Sequence, residues 1–219
     1  MTSGRAFERF VSFTDAVVAV AITLLVLSII DIRPTSSEAT VWSIISDNAG
    51  QITTFTFTFV VVAVMWQVHL RLFNKLQAFD GFIFWFNLLW LIGIVLLPWS
   101  SALFGEGVMV NSSQFSGGEG DGGAGMLYWG NMAVISFAGV AIGRHAFTHP
   151  ELLIPGSTYL RDYFRGLVFG IAFLAIGVLT VVDPVIGGWG ALVLIPMGAI
   201  ADRIVNRLNT KDQEESSDD

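Results

Sequence analysis

Long stretches of this chain hold apolar residues at nearly every position, broken by short segments where the charges and prolines collect. Reading between charges gives six apolar segments, at about 8–30, 48–70, 81–104, 126–147, 164–182 and 185–203. Each is close to the ~20 apolar residues that span a bilayer as a helix. The second contains "TTFTFTF", whose alternation is that of a strand in water. It lies in an uncharged run from Asn48 to Leu70, where lipid would leave an open strand's backbone unsatisfied, so a helix is expected. Only Asp183 and Pro184 separate the fifth and sixth segments, which predicts a tight helical hairpin. The fold class expected is an all-α membrane protein with six transmembrane helices per chain, over a domain of residues 1–208. Residues 209–219 form an acidic tail, "TKDQEESSDD" with its preceding Asn, in which like charges repel and disorder is expected.

Composition agrees with this reading. The 219 residues are 53% hydrophobic and 13% charged, more apolar than one soluble core can hide. There is no cysteine, which excludes disulfides, thiolate metal sites and a cysteine nucleophile. The first segment lacks a small-x-small cleavage site and is read as a retained helix rather than a signal peptide. Six spans put both termini on one side. That side then carries Arg5, Arg9, Arg71, Lys75, Arg144, Arg161, Arg165, Arg203, Arg207 and Lys211, leaving Arg33 opposite. The bias assigns the basic side, and both termini, to the cytoplasm. The opposite loops are acidic, a field that would gather cations and also what a basic inner face leaves behind. The loop "GEGVMVNSSQFSGGEGDGGAG" is Gly/Ser-rich and expected to be flexible; with no preceding strand, its "GEGDGG" is not a phosphate cradle.

Polar groups at membrane depth are costly and are functional candidates by default. Asp15, Trp66, His69 and Asn87 fall at similar depth toward the cytoplasmic ends of spans one, two and three. A hydrogen-bonded cluster joining the three helices is the economical expectation, against separate satisfaction by headgroup water. Asp15 and His69 could also relay protons. No nucleophile or metallohydrolase motif accompanies them, so no enzyme is expected. His145 and His149 have the i,i+4 spacing of a metal half-site, but no third ligand is evident and a helix C-terminus is their simpler role. On the first helix Val20, Thr23, Leu24 and Leu27 share one stripe, with Asp31 at its outer mouth, and Val18, Ala21, Ile22, Leu25 and Ile29 form the opposite, wholly apolar one. Thr23 either packs with its hydroxyl bonded back to the helix or serves the stripe.

"RFVSFTD", with Arg9, Phe13, Thr14 and Asp15, resembles the Arg-x-x-x-Phe-Ser-Asp signature of the transmembrane protein 175 potassium-channel family, particularly its prokaryotic members. The similarity continues through "AVVAVAITLLVL" to Trp66, His69, Phe73, Asn87 and Pro98. Thr14 stands where Ser is usual, and Ser28 where relatives often carry Glu. The resemblance implies a tetrameric cation channel without a P-loop filter, its pore lined by helix 1, in a prokaryotic plasma membrane. One repeat per chain implies a homotetramer in the lipid bilayer, with no nucleic-acid partner and no cofactor or metal beyond the permeating potassium ion. By position it implies a constriction at Val20, Leu24 and Leu27, ion selectivity at Thr23, and a structural network of Arg9, Phe13, Thr14, Asp15, Trp66, His69 and Asn87. The expected function is a potassium-selective leak channel; the alternatives are a proton-coupled carrier or proton conductor using Asp15 and His69, and a non-conducting membrane scaffold.

Overall fold

The computed structural model describes residues 1–30, 32–33, 39–109, 122–157 and 160–183, together with 187 and 190. A two-residue strand β1 (Thr2–Ser3) leads through Gly4, at φ 63°, into α1 (Arg5–Leu24). Helix α1 tightens into a 3-10 turn over Leu25–Ser28. A short helix α2 (Val41–Asp47) follows, then α3 (Ala49–Phe73), β2 (Ala78–Phe79), α4 (Gly81–Met109), α5 (Gly122–Thr148) and α6 (Leu160–Val182). "TTFTFTF" lies inside α3 and is helical throughout, as the bilayer argument requires.

Five of these helices are long and apolar enough to cross a membrane: α1 with its 3-10 extension, α3, α4, α5 and α6. They correspond to the first five predicted segments. Most of the predicted sixth segment, the hairpin turn at Pro184, most of the Gly/Ser-rich loop, the acidic tail and Asp31 lie outside the described residues. The fold is mostly helical rather than wholly so, because β1 pairs antiparallel with β2, Thr2 opposite Phe79 and Ser3 opposite Ala78. Two-residue strands carry no periodicity and could not be predicted from pattern.

Helix α5 packs along α4 on one side and α6 on the other, while α1 and α3 lie against α4. Small residues set these distances. A Cβ at Gly125 would collide with Thr180, and one at Gly93 with Ile135, so glycine lets the paired backbones close up in the manner of membrane helices. Asn131 of α5 donates from Nδ2 to the Gly93 carbonyl of α4 at 2.8 Å, next to Ile94, whose carbonyl has no helical donor because Pro98 lacks an N–H. The main core gathers Val18, Ala21, Leu25, Trp90, Ile94, Leu97, Tyr128, Trp129 and Met132. A second core, with Leu72, Phe73, Leu76, Ile83, Ile142 and Leu152, closes the end at which α1 begins and the α3–α4 and α5–α6 links turn. There the link residues are stitched together by Gln77 N–H to the Leu152 carbonyl and Ile154 N–H to the Lys75 carbonyl, each at 2.9 Å.

Asp80 begins α4 as a cap, its Oδ1 accepting from the Ile83 N–H at 3.0 Å, while its Oδ2 lies 2.7 Å from His145 Nε2. Burial acts to raise this carboxyl. The Ile83 N–H, the His145 hydrogen bond and charge, and the Phe82 N–H together outweigh it, so Asp80 titrates below its ordinary 3.8. A folded-state value below the unfolded one contributes stability above pH 3.8 that disappears as pH falls through the folded value. Asp80→Asn is therefore expected to lower the unfolding midpoint at neutral pH, with the difference from wild type closing below pH 3.8; thermal unfolding measured across that range checks it.

Candidate pore helix and its anchoring network

Helix α1 has two sharply different faces. Thr14, Val18, Ala21 and Leu25, at i, i+4, i+7 and i+11, are 0, 4, 2 and 0% exposed. That stripe packs on α4 and α3. The stripe holding Val20, Leu24 and Leu27 is left uncovered, at 58, 39 and 54% exposure, with Thr23 exposed between them. Val18, Ala21 and Leu25 of the opposite predicted stripe are the buried ones. An apolar helix face that its own chain leaves bare must meet lipid, another chain or a pore.

Thr23 Oγ1 donates to the Val20 carbonyl at 2.7 Å, the back-bonded geometry usual for threonine in a membrane helix. This bond uses the hydroxyl's single proton, and the oxygen keeps its acceptor capacity. Back-bonding and ion coordination are thus compatible in one side chain. The helix turns to 3-10 just beyond, where Ser28 Oγ bonds the Leu25 carbonyl at 2.7 Å.

The buried side of α1 is held by two branches of hydrogen bonds. In the first, His69 Nε2 lies 2.7 Å from Asn87 Oδ1, Asn87 Nδ2 donates to Thr14 Oγ1 at 2.9 Å, and Thr14 donates to the Phe10 carbonyl at 3.1 Å. With the Asn87 amide facing Thr14, its oxygen faces His69, which assigns the proton on Nε2 to the histidine. All three side chains are buried, and the imidazole stacks between Phe73 and Trp90 at centroid distances of 4.2 and 4.1 Å. In the second branch Trp66 Nε1 donates to Asp15 Oδ1 at 2.8 Å on the exposed side of α3. The cluster expected across spans one, two and three is thus formed by Thr14, Asp15, Trp66, His69 and Asn87. No described hydrogen bond joins Asp15 to His69.

Arg9 and Phe13 stand outside both branches. Arg9 is exposed and enters none of the described hydrogen bonds, and Phe13 is 58% exposed. In their place Phe10 anchors the base of the helix, 4.4 Å from the Phe79 ring, beside Phe7 stacked on Phe73. The spacing of Phe7 and Phe10 (i, i+3) was the available signal for that contact. His145 and His149 sit at the α5 C-terminus, His145 on Asp80 and His149 Nδ1 2.9 Å from the His145 carbonyl. Among the described residues no group of three or more His, Asp or Glu could hold a metal.

These features define a multi-span helical membrane protein in which the first helix is pinned on one face and presented bare on the other. The family model described as endosomal/lysosomal potassium channel TMEM175 matches residues 9–98, the stretch that contains the whole anchoring network. That match is a likeness of the N-terminal part of the chain to this family, over residues 9–98 of 219. It is 29% identical over 98 residues to a potassium channel of Streptomyces collinus, covering 45% of this chain and 47% of the relative. It is 30% identical over 98 residues to a potassium channel of a Chryseobacterium species, covering 45% and 46%. The chain spans about half the length of these curated relatives in the match. In structure it resembles a lysosomal potassium-selective channel TMEM175 homolog from Chamaesiphon minutus, with a TM-score of 0.65 and 22% identity over 90% of this chain and 99% of the other. A variant of the potassium channel MtTMEM175, in complex with a nanobody fusion, gives a TM-score of 0.61 at 19% identity, covering 91% and 93%. The fold is that of these channels.

Proposed function

We propose that this chain is a potassium-selective leak channel, a homotetramer in a prokaryotic plasma membrane with both termini cytoplasmic and a pore lined by α1. The observation that carries the reading is the asymmetry of that helix: its Thr14/Val18/Ala21/Leu25 face is fully covered and its Val20/Thr23/Leu24/Leu27 face is not. The potassium-channel names of the bacterial relatives point the same way. Four copies around an axis would set Val20, Leu24 and Leu27 as apolar rings that exclude water, and Thr23 as a ring of hydroxyl oxygens between them. Asp31 would stand at the outer mouth. Potassium surrenders hydration water more readily than sodium, so a ring with few oxygen ligands favours it modestly. Nothing in this scheme is enzymatic, and the only ion needed is the one that passes.

Thr23→Ala removes four ligands at once. The potassium-to-sodium permeability ratio in bilayer recordings is expected to fall about fivefold, the equivalent of roughly 1 kcal/mol of differential stabilisation. An unchanged ratio would take Thr23 out of the selectivity site.

A second reading, proton conduction, is favoured by one observation: vertebrate relatives, among them that of Danio rerio at 26% identity over 102 residues, carry the name endosomal/lysosomal proton channel TMEM175. Those matches cover only 20% of that relative. Asp15 and His69 are poorly placed as a relay, since each is committed to a different partner, Trp66 and Asn87. Proton flux, measured with a pH dye in the same liposomes, would then run along the α1 edge and survive His69→Gln.

A further inference from the structure

A cavity of about 470 Å³ lies between α3, α5 and α6, on the opposite side of α3 from the branch that holds Asp15. On α6 its wall runs Arg165, Phe169, Phe173, at i, i+4 and i+8, so a cation is followed by two rings on one helix face. Eight residues of helix rise about 12 Å. That is close to one leaflet of a hydrocarbon core roughly 30 Å thick. The cation is at the end where the α5–α6 link turns, and the rings point toward mid-membrane.

The shape suits a chain rather than a side chain. Trp90 and Phe173 are buried and form the floor, whereas Val60, Val64 and Val68 of α3 are 53, 52 and 45% exposed and form one lip. Gly139 of α5 also lines the space, and a Cβ added there would meet nothing within 4 Å. Elsewhere α5 uses glycine to close up on α6, as at Gly125 against Thr180. At Gly139 glycine instead leaves room. Arg71, about one turn beyond Val68 on α3, is exposed and has its guanidinium bonded to Gln67 at 2.9 Å.

We propose that this cavity is a binding site for an anionic phospholipid of the leaflet nearest the α5–α6 link, one acyl chain lying along Phe169 and Phe173 and the phosphate meeting Arg165. Apolar walls satisfy the chain, and a guanidinium matches a phosphate's geometry better than an ammonium would. A zwitterionic headgroup gains less from the same cation. The site requires no conduction and involves no exposed α1 residue, although His69 of the buried branch forms part of its wall.

The test is native mass spectrometry of the full protein released from nanodiscs of equal phosphatidylglycerol and phosphatidylcholine. Wild type is expected to retain phosphatidylglycerol in preference. Arg165→Gln should reduce that preference about fivefold, the effect of one lost cation near the membrane surface. Gly139→Phe should reduce retention of both lipids by filling the space, with the oligomer unchanged. Equal retention of the two lipids by wild type, or retention untouched by both variants, would overturn the proposal. So would an oligomer that carries no lipid and dissociates on Gly139→Phe, which would make a second copy of the chain the occupant. Because the readout is bound lipid, a failure here leaves the channel reading standing, and a silent channel leaves this one standing.

Discussion

Asn87→Leu is expected to destabilise the protein by about 2–4 kcal/mol while keeping the same branched heavy-atom skeleton. Two hydrogen bonds disappear, to His69 at 2.7 Å and to Thr14 at 2.9 Å. Membrane-helix hydrogen bonds average about 0.6 kcal/mol and reach about 1.7. The larger cost is the buried His69 N–H, left between two aromatic rings with no acceptor, which adds roughly 1–3 kcal/mol. Thr14 fares better because it still donates to the Phe10 carbonyl. Trp66→Phe makes the contrast. It breaks only the exposed bond to Asp15, so its cost should be about 0.6 kcal/mol. Thermal unfolding of both variants in detergent checks the ordering, and equal losses would show that the buried branch is not what holds α1.

Val20→Ala is expected to raise potassium conductance at least tenfold. In the proposed tetramer, a ring of four valines that would keep a narrow passage dry loses two methyl-sized groups per copy, each worth about 0.8 kcal/mol of apolar character. A barrier lower by only about 1.4 kcal/mol gives the tenfold rise, so a small part of that change suffices. Val18→Ala, two residues away on the covered face, should do the reverse: it opens a void against α4, lowers stability by about 1–3 kcal/mol and leaves conductance alone. Single-channel recordings of the pair separate a pore-facing position from a packed one.

Much of this arrangement is legible in residue order, because a membrane helix obeys one period and tolerates few polar groups. The 3.6-residue period separates the covered and bare faces of α1, and the helical reading of "TTFTFTF" follows from backbone satisfaction in lipid. Asp15, Trp66, His69 and Asn87 are found together because they are polar at equal depth, although pattern gives no sign that they form two branches, and Thr14 joins them through the resemblance. Arg9 and Phe13, like Thr14, entered the expected network on resemblance alone, and of the three only Thr14 reaches it in this chain. Other features depend on tertiary geometry that no period encodes. The Asp80–His145 tie joins residues 65 positions apart, and Asn131 finds the Gly93 carbonyl only because Gly93 lets α5 approach. The 3-10 end of α1 has no punctuating Gly or Pro to announce it. The cavity beside Gly139 is likewise invisible in sequence, since glycine marks close approach as often as open space.

The chain has no native cysteine, so single thiols can be placed at will. The most direct measurement is potassium flux from liposomes bearing Val20→Cys, Thr23→Cys or Leu27→Cys, each compared with Ala21→Cys, before and after a water-soluble thiol reagent. Block at 20, 23 and 27 with none at 21 is the result predicted by a pore lined with the bare face of α1. Flux that persists after modification of all three exposed positions would mean that ions take another route.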